Sequence, residues 1–487
     1  MITKNLTSDI KRNKHLIYSS LASNYNLKYR DIILKGNINC LIIYIDGISD
    51  KDTIEKHIIS PLLFRIDTKL PNTSSLALYI SKRYISINST EISNEVKKLC
   101  ESLKRGQTII FLDNDDNAII CDTFKDNFRK VSDAKIEENI RGAKSAFVEN
   151  IKINISMIQE KLINNNLRIE RYVFGKENNI EGALLYLEGT IDKKILSKIK
   201  EKLNHVKANY IPDTGMLMQY MEKRPFSVFP QYKTVEKPDK AVSDIIQGKA
   251  IIFVNGCSYA VTVPVVFIEF FQAFEDYSNK IVLANFDRFI RLIALLIILL
   301  ASPLYLVLIS YNIDLIPQDL IYIISESRQD IPLPPFIEIL LMEIVIEFLR
   351  EGGLRLPSMV GQTLSIVGGI ILGQAAINSG FVSPTTLVVI SVTVICTFLI
   401  PNYEMSLTIR LCRFVILILA QILGLFGIML GLFALIAYLI SIDSFSVPYL
   451  SPIAPTRHKD LKDSLIRGSL KNIDKVPKSF KEGENNN

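Results

Sequence analysis

Long apolar runs are confined to the C-terminal half of the chain. From Arg288 to Ser441 the sequence contains no lysine, and residues 289–310 and 414–440 are almost wholly apolar. A helix rises 1.5 Å per residue, so about 22 residues span roughly 33 Å, enough to cross the hydrocarbon core of a bilayer. Two further apolar runs, 360–379 and 384–400, are bounded by glycine and proline, and each predicts one crossing. The pattern predicts an all-α membrane domain at 288–441 with about four spans.

A shorter run, 336–350, combines apolar residues with Glu338, Glu343, Glu347 and Arg350. A helix of about 15 residues reaches only ~22 Å, less than the ~30 Å hydrocarbon core. Glu343 and Glu347 are four residues apart and therefore share one helix face. Two interpretations stay open: an amphipathic helix that lies at the membrane interface or packs against neighbouring helices, or a charged face turned towards a water-filled path.

The number of membrane crossings is also open from the sequence. Four spans place the polar tail, 442–487, on the side of the N-terminus, but they put arginines 350, 355, 410 and 413 on the opposite side. Five spans reverse both placements. The length of 336–350 favours four spans plus a short helix, whereas the positive-inside rule does not.

The first 287 residues follow a strand-and-helix pattern that occurs twice. Cys40–Asp52 (CLIIYIDGISDKD) aligns with Gly182–Lys194 (GALLYLEGTIDKK) at an offset of 142 residues. At the same offset, Gly106–Phe111 (GQTIIF) aligns with Gly248–Phe253 (GKAIIF). In each copy an Ile- and Leu-rich run predicts a strand, an Asp-Gly or Glu-Gly pair predicts a turn, and helical spacing follows.

This repeat predicts an α/β soluble region made of two duplicated α/β subdomains, followed by the all-α multi-span membrane domain. The predicted boundaries are 1–30 for a polar N-terminal segment, 31–145 for the first subdomain and 146–287 for its duplicate. No cleavable signal peptide is expected, because residues 1–30 are polar and charged. The soluble region is therefore expected to stay on the cytoplasmic side.

Composition adds mainly exclusions. The 487 residues are 48% hydrophobic and 22% charged with a net charge of +6, but the uneven distribution excludes both a wholly soluble protein and one that is mostly membrane. Basic and acidic residues are interspersed in the soluble part, so no nucleic-acid-binding patch is predicted. The six cysteines show no CxxC spacing, which argues against a metal site or a disulfide framework.

No catalytic constellation is evident, so an enzyme is not expected, and neither a cofactor nor a metal is predicted. Asp113, Asp115 and Asp116 form an acidic cluster after the first GxxIIF strand, but the second copy has Asn255-Gly256-Cys257 there. A turn that ends the strand is the favoured interpretation of these aspartates.

One stretch, 361–379, places small and polar residues along one side of a predicted helix. Two interpretations remain: tight helix–helix packing through small residues, or the lining of a pore formed where copies of the chain meet. Under the second interpretation, Val360 or Val367 provides an apolar constriction. The pore-lining candidates are Gln362, Ser365, Val367, Gly369, Gly373, Gln374 and Asn378.

Several short motifs together resemble a known family. They are Arg224–Gln231 (RPFSVFPQ), Thr234–Asp239 (TVEKPD), Phe271–Tyr277 (FQAFEDY), Arg288–Arg291 (RFIR), Glu347–Glu351 (EFLRE), Arg355–Pro357 (RLP), Ser365–Gly369 (SIVGG), Ser383-Pro384 and Pro448–Pro452 (PYLSP). Their order and spacing resemble the A-subunit family of GerA-type spore germination receptors over about residues 34–467.

The resemblance implies an integral protein of the spore inner membrane, with its N-terminal domain on the core side. It implies a homo-oligomer that acts with a transporter-like B subunit, which binds the nutrient, and a lipoprotein C subunit. The family is thought to form a nutrient-gated ion channel. Alternatives are a non-conducting scaffold or signal relay, and a paralogous A-like subunit associated with dipicolinate-transport genes.

On this hypothesis the 361–379 stripe lines the pore, and Glu343 and Glu347 bias it towards cations. Residues 224–231 and 236–239 act as a structural hinge before the second GxxIIF strand. The motif residues expected to have structural roles are Arg224, Pro225, Phe226, Pro230, Glu236, Pro238, Asp239, Glu275, Asp276, Tyr277, Arg288, Arg291, Arg355 and Pro357.

Overall fold

The computed structural model divides the chain into two compact units. It describes residues 5–21, 26–66, 70, 75–124, 145–273, 275–355, 373–456, 464, 466–468 and 480. The α/β unit comprises Met1–Pro225, Tyr232–Pro264 and Lys475–Asn487, and the helical unit comprises Phe226–Gln231 and Val265–Asp474.

The first copy of the repeat is an antiparallel five-stranded sheet in the order β1-β2-β4-β5-β3. Its strands are β1 (Leu27–Leu34), β2 (Ile38–Ile45), β3 (Thr90–Ser93), β4 (Thr108–Leu112) and β5 (Ala118–Cys121). Its described helices are α1 (Ile10–Leu21), α2 (Lys51–Ile54), α3 (Ser60–Phe64), α4 (Leu76–Arg83) and α5 (Val96–Lys104), with a π-helical turn at Glu55–Ile59. Neighbouring residues of a strand point to opposite faces, and both faces are covered: Ile42 packs under α2–α4, whereas Leu41 and Ile43 pack under α1 and α5.

The second copy has the same sheet order, β6-β7-β9-β10-β8. Its strands are β6 (Leu167–Phe174), β7 (Ile180–Leu187), β8 (Lys233–Val235), β9 (Ala250–Val254) and β10 (Ala260–Val263), and its helices are α6 (Ile151–Lys161), α7 (Lys193–His205), α8 (Thr214–Met221) and α9 (Pro238–Ile246). A small polar clasp is also duplicated: the Asn13 side chain bonds the backbone of Thr7, and the Asn154 side chain bonds that of Val148. The predicted fold class, two duplicated α/β subdomains followed by helices, is confirmed.

In the described part of the helical unit, seven helices have defined bounds, and residues 373–378 form a further helical segment. The seven are α10 (Glu275–Ser278), α11 (Ile281–Ser310), α12 (Gln318–Arg328), α13 (Pro335–Leu354), α14 (Pro384–Thr397), α15 (Tyr403–Leu423) and α16 (Leu425–Ser441), with 3₁₀ turns at Phe267–Phe271 and Ile313–Leu315 and a short hairpin of β11 (Asp443–Ser444) and β12 (Val447–Pro448). Among the described helices, α11 and α15 are long and apolar enough to cross a membrane.

The apolar run predicted as one span at 414–440 is divided between two helices. Gly424 separates α15 from α16 and adopts φ 58° and ψ −139°, a conformation that residues with a side chain rarely adopt. The chain turns back there, and Gly427 packs against the backbone of Leu419. The hydropathy pattern did not reveal this turn because the residues before and after Gly424 are both apolar.

Polar contacts near the helix ends establish the relative directions of α11, α14 and α15. Tyr305 on α11 shares a hydrogen bond with Thr385 at the start of α14, so these helices are antiparallel. The Tyr311 hydroxyl at the end of α11 donates to the Gln421 carbonyl near the end of α15, so those two are parallel. The start of α11 and the end of α16 therefore lie at the same end of the helical unit.

Helix α13 differs from the short helix predicted at 336–350. It has 20 residues, which corresponds to about 30 Å. It runs parallel to α14, because Glu338 contacts Ser383 near the start of both helices and Arg350 contacts Thr397 near the end of both. The additional residues include Gly352 and Gly353. Because glycine is a weak helix former, the sequence pattern predicted that the helix ends before these residues.

Candidate functional site

A row of buried and half-buried charged side chains joins α13 to α15. We call it the charged seam; it consists of Glu343, Glu347, Arg350, Arg410 and Arg413. The Arg413 Nε atom lies 3.3 Å from Glu343 Oε1, and Arg410 forms an ion pair with Glu347. The Arg350 Nη1 atom lies 3.9 Å from Glu347 Oε1. Three guanidinium groups thus face two carboxylates.

The spacing of these residues explains why they meet. Glu343 and Glu347 are four apart on α13, Arg410 and Arg413 are three apart on α15, and both spacings place side chains on one helix face. The two helices run in opposite directions, so the first glutamate meets the second arginine. The Glu343 and Arg413 side chains are 0% and 3% exposed. Removing one partner of such a pair leaves an uncompensated charge in a medium that solvates it poorly.

Threonines on α14 connect the third helix to the seam. The Arg350 Nη2 group donates to Thr397 Oγ1 at 2.9 Å, and the Arg413 Nη1 group donates to Thr393 Oγ1 at 3.3 Å. Both hydroxyls in turn donate to carbonyls of their own helix. The charged seam and these two threonines therefore fix the positions of α13, α14 and α15 along one another.

A second buried carboxylate lies at the other end of α13. Glu338 Oε1 accepts hydrogen bonds from Ser383 N at 2.7 Å and Ser383 Oγ at 2.8 Å, and the same carboxylate forms an ion pair with Arg328. The Ser383 side chain also caps α14 by accepting from Thr386 N. This cluster fixes the start of α14 against the start of α13.

The exterior of the helical unit is largely apolar, whereas its interior contains charged side chains. Large apolar side chains are exposed along α11, α14, α15 and α16; examples are Phe289, Val388, Leu411 and Phe433. A soluble domain rarely exposes so many large apolar side chains along neighbouring helices. The distribution is the one expected of helices surrounded by lipid.

The predicted pore-lining residues are only partly within the described chain. Gln362, Ser365, Val367 and Gly369 lie outside it, as does Val360. In the helical segment 373–378, Gly373 is buried, and a Cβ there would lie 3.5 Å from Leu387 on α14. Gln374 and Asn378 are exposed on the other side of the segment. One side of this segment therefore packs within the unit, and a polar side faces away from it.

The two glutamates predicted to confer cation preference occupy the charged seam. Glu343 is paired with Arg413 and Glu347 with Arg410. The pairs neutralise both carboxylates within one copy of the chain, which supports a structural role for them. Sequence reasoning grouped the glutamates correctly on one face but did not identify the arginines as their partners. The available signal was the pair Arg410 and Arg413 in an otherwise apolar run.

Four of the family-motif residues form a cluster at the start of α11. Asp276 Oδ2 lies 3.2 Å from Arg288 Nε and accepts a 2.8 Å hydrogen bond from Arg291 Nη1. The guanidinium carbons of Arg288 and Arg467 lie 5.6 and 5.7 Å from the centroid of the Tyr277 ring. Arg467 Nη2 also donates to the Tyr277 carbonyl. The tail is thereby held against the first turns of α11.

Other motif residues make local structural contacts. The Pro230 carbonyl accepts from Tyr449 Oη at 2.7 Å, and the Glu236 carbonyl accepts from Phe147 N at 2.8 Å. Pro238 lies in the first turn of α9, and Asp239 Oδ1 lies 2.7 Å from Lys161 Nζ.

The remaining motif residues lie at boundaries. Arg224 and Pro225 end the first stretch of the α/β unit, and Phe226 begins a short stretch, 226–231, that belongs to the helical unit. Glu275 is the first residue of α10. Arg355 pairs with Glu351 at an exposed position, and Pro357 lies outside the described residues. The hinge role of 224–231 and 236–239 stays a prediction.

The acidic cluster in the first copy has a structural role. Asp115 Oδ2 accepts from Ala77 N at 2.7 Å, and Asp115 Oδ1 accepts from Asn117 N at 2.9 Å. These bonds satisfy backbone donors at the start of α4 and in the turn after β4. Over the described residues no group of His, Cys, Asp and Glu is arranged to hold a metal ion.

A buried ion pair in the α/β unit contrasts with the exposed pairs around it. Asp244 Oδ1 lies 3.2 Å from Lys249 Nζ, and Asp244 Oδ2 accepts from Thr262 Oγ1 at 2.9 Å. Burial raises the pKa of Asp244, but the charges of Lys249, Lys233 and Lys240 and the Thr262 hydrogen bond outweigh it, so the pKa lies below its usual value.

Comparison with known proteins places these features in context. The chain matches, over residues 15–479, the model of the family described as Bacillus/Clostridium GerA spore germination protein. Spore germination protein KA of Bacillus subtilis is 32% identical over 96% of this chain and 85% of its own length. Spore germination protein GerLA of Bacillus cereus is 33% identical over 93% of this chain and 91% of its own. A B. subtilis relative named uncharacterized membrane protein YfkQ is 30% identical over 92% and 87%.

Among solved structures, the chain is similar to the crystal structure of the N-terminal domain of the A subunit of the Bacillus megaterium spore germinant receptor GerK3. The TM-score is 0.42 with 21% sequence identity, and the match covers 55% of this chain and 99% of that one.

Proposed function

Because the chain belongs to the GerA family of spore germination proteins, we propose that it is the A subunit of a nutrient-responsive germinant receptor in the spore inner membrane. It acts with a transporter-like B subunit, which binds the nutrient, and a lipoprotein C subunit. Copies of it assemble into an ion channel that opens when nutrient binds. It performs no enzymatic chemistry.

The membrane location is supported by the apolar exterior of the helical unit and by its two long apolar helices. The directions of α11, α14, α15 and α16 support an orientation with both flanking parts of the chain on one side, because the start of α11 and the end of α16 lie at one end of the unit. With an N-terminal domain that lacks long apolar runs, this side is the spore core.

The observation that carries the channel proposal is the polar side of segment 373–378. Gln374 and Asn378 are exposed in a unit whose exterior is otherwise largely apolar. Exposed polar side chains are costly where they face lipid, but they are favourable when they face water on the axis of an assembly.

The test is ion flux into liposomes that contain the purified full chain with its B and C partners. Gln374→Leu together with Asn378→Leu is expected to change flux about tenfold, equivalent to about 1.4 kcal/mol in the barrier, because an apolar lining solvates ions poorly. The matched control is Val388→Leu on the apolar exterior, with no expected change. Assembled subunits that conduct nothing with nutrient and all partners present would contradict the channel.

A non-conducting scaffold is the second candidate, and the charged seam favours it. Both carboxylates of the seam are paired within one copy, as expected if they hold helices together and not if they attract ions. Under this candidate the Gln374 and Asn378 changes alter receptor assembly and leave flux unaffected.

A further inference from the structure

The repeat gives each copy two comparable surfaces. The turn face lies at the Asp/Glu-Gly turn after the second strand and at the end of the helix before the GxxIIF strand. In the first copy it contains Asp46, Gly47 and Lys104, and in the second it contains Glu188, Gly189 and Ile246. The helix face lies on the first helix of each copy, and the duplicated Asn13 and Asn154 clasps align the two helices at an offset of 141 residues.

The turn face of the first copy is covered by the helix face of the second. A Cβ on Gly47 would lie 3.6 Å from the Lys152 carbonyl oxygen and 3.9 Å from Ser156 Cβ, both on α6. Lys104 is only 5% exposed and contacts Asn165, just beyond α6. The two copies therefore dock through unlike surfaces, a turn against a helix.

Charge supports this contact. Burial raises the pKa of Asp46, but the hydrogen bond and charge of Lys51 and then the charge of Lys152 lower it to below its usual value. The carboxylate of the first copy is thus attracted to a lysine of the second copy across the contact.

The corresponding surfaces at the two ends of the tandem are open. No atom of the described residues lies within 4 Å of a Cβ placed on Gly189. Ile246, which corresponds to the buried Lys104, is 49% exposed. On α1, His15 corresponds to the buried Ser156 and is exposed, and Tyr18 corresponds to the buried Gln159 and is 52% exposed.

We propose that the open turn face of the second copy binds the open helix face of the first copy in another molecule of this chain. The contact reproduces between molecules the one that already exists within each molecule. Glu188 then faces Lys11 of the next molecule, as Asp46 faces Lys152 within one molecule. The partner is therefore a second copy of this chain, and the apolar Ile246 side chain is covered.

Such a contact is heterologous, because each molecule contributes one face of each kind. Repetition of a heterologous contact generates a closed ring or an open filament, and not an isolated dimer. The inference rests on the proposed assembly of the A subunit and names its contact surface, but it does not depend on ion conduction.

Cross-linking tests the proposal in the full chain held in detergent or nanodiscs. The double variant His15→Cys with Glu188→Cys, treated with a short bis-maleimide, is expected to give a ladder of dimers, trimers and larger species. Each single variant and the unaltered chain should give no ladder, and an equimolar mixture of the two single variants should stop at dimers. A double variant that remains monomeric, or one that gives only dimers, would overturn the head-to-tail contact.

A charge introduced at the face provides a second test. Ile246→Glu is expected to shift the full chain from the assembled form to the monomer by at least tenfold in concentration, measured by native mass spectrometry or mass photometry. The matched control is Val173→Glu, which also changes an exposed apolar residue but lies on edge strand β6.

Ion flux is measured on the same samples, so that a failure of the proposed contact between molecules can be distinguished from a failure of the proposed channel. If Ile246→Glu loses assembly and Val173→Glu keeps it, the result supports the contact, whether or not the assembled chain conducts ions. Assembly that is unchanged in Ile246→Glu overturns the contact and leaves the channel proposal standing. Assembly that requires the B or C subunit at this face also overturns it, because the occupant is then not a second copy.

Discussion

The two units of this protein place their charges in opposite ways. In the α/β unit, apolar strands are buried on both faces and most ion pairs lie on the surface, such as Lys98 with Glu91. In the helical unit, apolar side chains cover the exterior and ion pairs such as Glu343 with Arg413 are buried. The contrast is the one expected if water surrounds the first unit and, as proposed above, lipid surrounds the second.

The same contrast predicts different energetic roles for ion pairs. An exposed pair gains little, because water and salt screen its charges and the side chains lose freedom. A buried pair contributes little net stability relative to an apolar pair, but breaking it by removal of one partner is costly. Mutations that remove one charge of a pair should therefore reduce stability far more where the pair is buried than where it is exposed.

The largest expected effect is that of Arg413→Ala. It leaves Glu343 buried without its cation, and we expect a loss of about 3–5 kcal/mol in the stability of the helical unit. The measurement is thermal loss of helical circular dichroism by the full chain in detergent.

Two controls define this result. Arg355→Ala removes a charge of an exposed pair on α13 and should leave the transition unchanged. Arg413→Met combined with Glu343→Leu removes both charges and should recover most of the loss. If Arg413→Ala and Arg355→Ala shift the thermal transition equally, the charged seam has no special role in stability.

The seam also shows how far sequence reasoning reaches. The four-residue spacing predicted correctly that Glu343 and Glu347 share a face, because that relation is local to one helix. Their partners, Arg410 and Arg413, lie more than 60 residues further along the chain, and only the antiparallel packing of α13 and α15 brings them together. Helix periodicity contains no information on which helices become neighbours.

The α/β unit was more predictable because its sequence contains an internal comparison. Two stretches at one ungapped offset, 40–52 and 106–111 with their duplicates, fixed the repeat and the main strands. The asymmetry between copies was not visible, since Gly47 and Gly189 occupy equivalent turns and differ only in what packs against them. In the helical unit, the turn at Gly424 was also missed, because glycines in an apolar run equally predict close packing of one continuous helix.

A second, smaller effect is expected at the buried ion pair of the α/β unit. Asp244→Asn removes the charge that accepts from Thr262 and faces Lys249, and we expect a loss of about 2–3 kcal/mol at neutral pH. Hydrogen exchange of β9 and β10 amides measures this unit separately. Thr262→Val, which removes one donor and keeps the charge, should cost about 1 kcal/mol.

The pH dependence of the Asp244 effect follows from the sign of its shift. Its pKa in the folded protein lies below the usual value, so the ionised carboxylate stabilises the fold at pH values above about 4. This contribution is lost as the pH falls through the lowered folded pKa. The difference in protection between the unaltered chain and Asp244→Asn should therefore shrink on acidification. A difference that grows at low pH would contradict the assignment.

The smallest expected effect compares two glycines of the helical unit. A Cβ on Gly427 would lie 2.0 Å from the Leu419 carbonyl oxygen, whereas a Cβ on Gly352 would meet no atom of the described residues within 4 Å. Gly427→Ala must therefore push α15 and α16 apart at their tight turn, and we expect a loss of about 1–2 kcal/mol. Gly352→Ala should be neutral or slightly stabilising, because alanine favours helix more than glycine does. Both are measured by the same thermal transition as Arg413→Ala. Equal transitions for the two variants would mean that the close contact after Gly424 is absent, and that 414–440 forms the single continuous helix that hydropathy alone predicts.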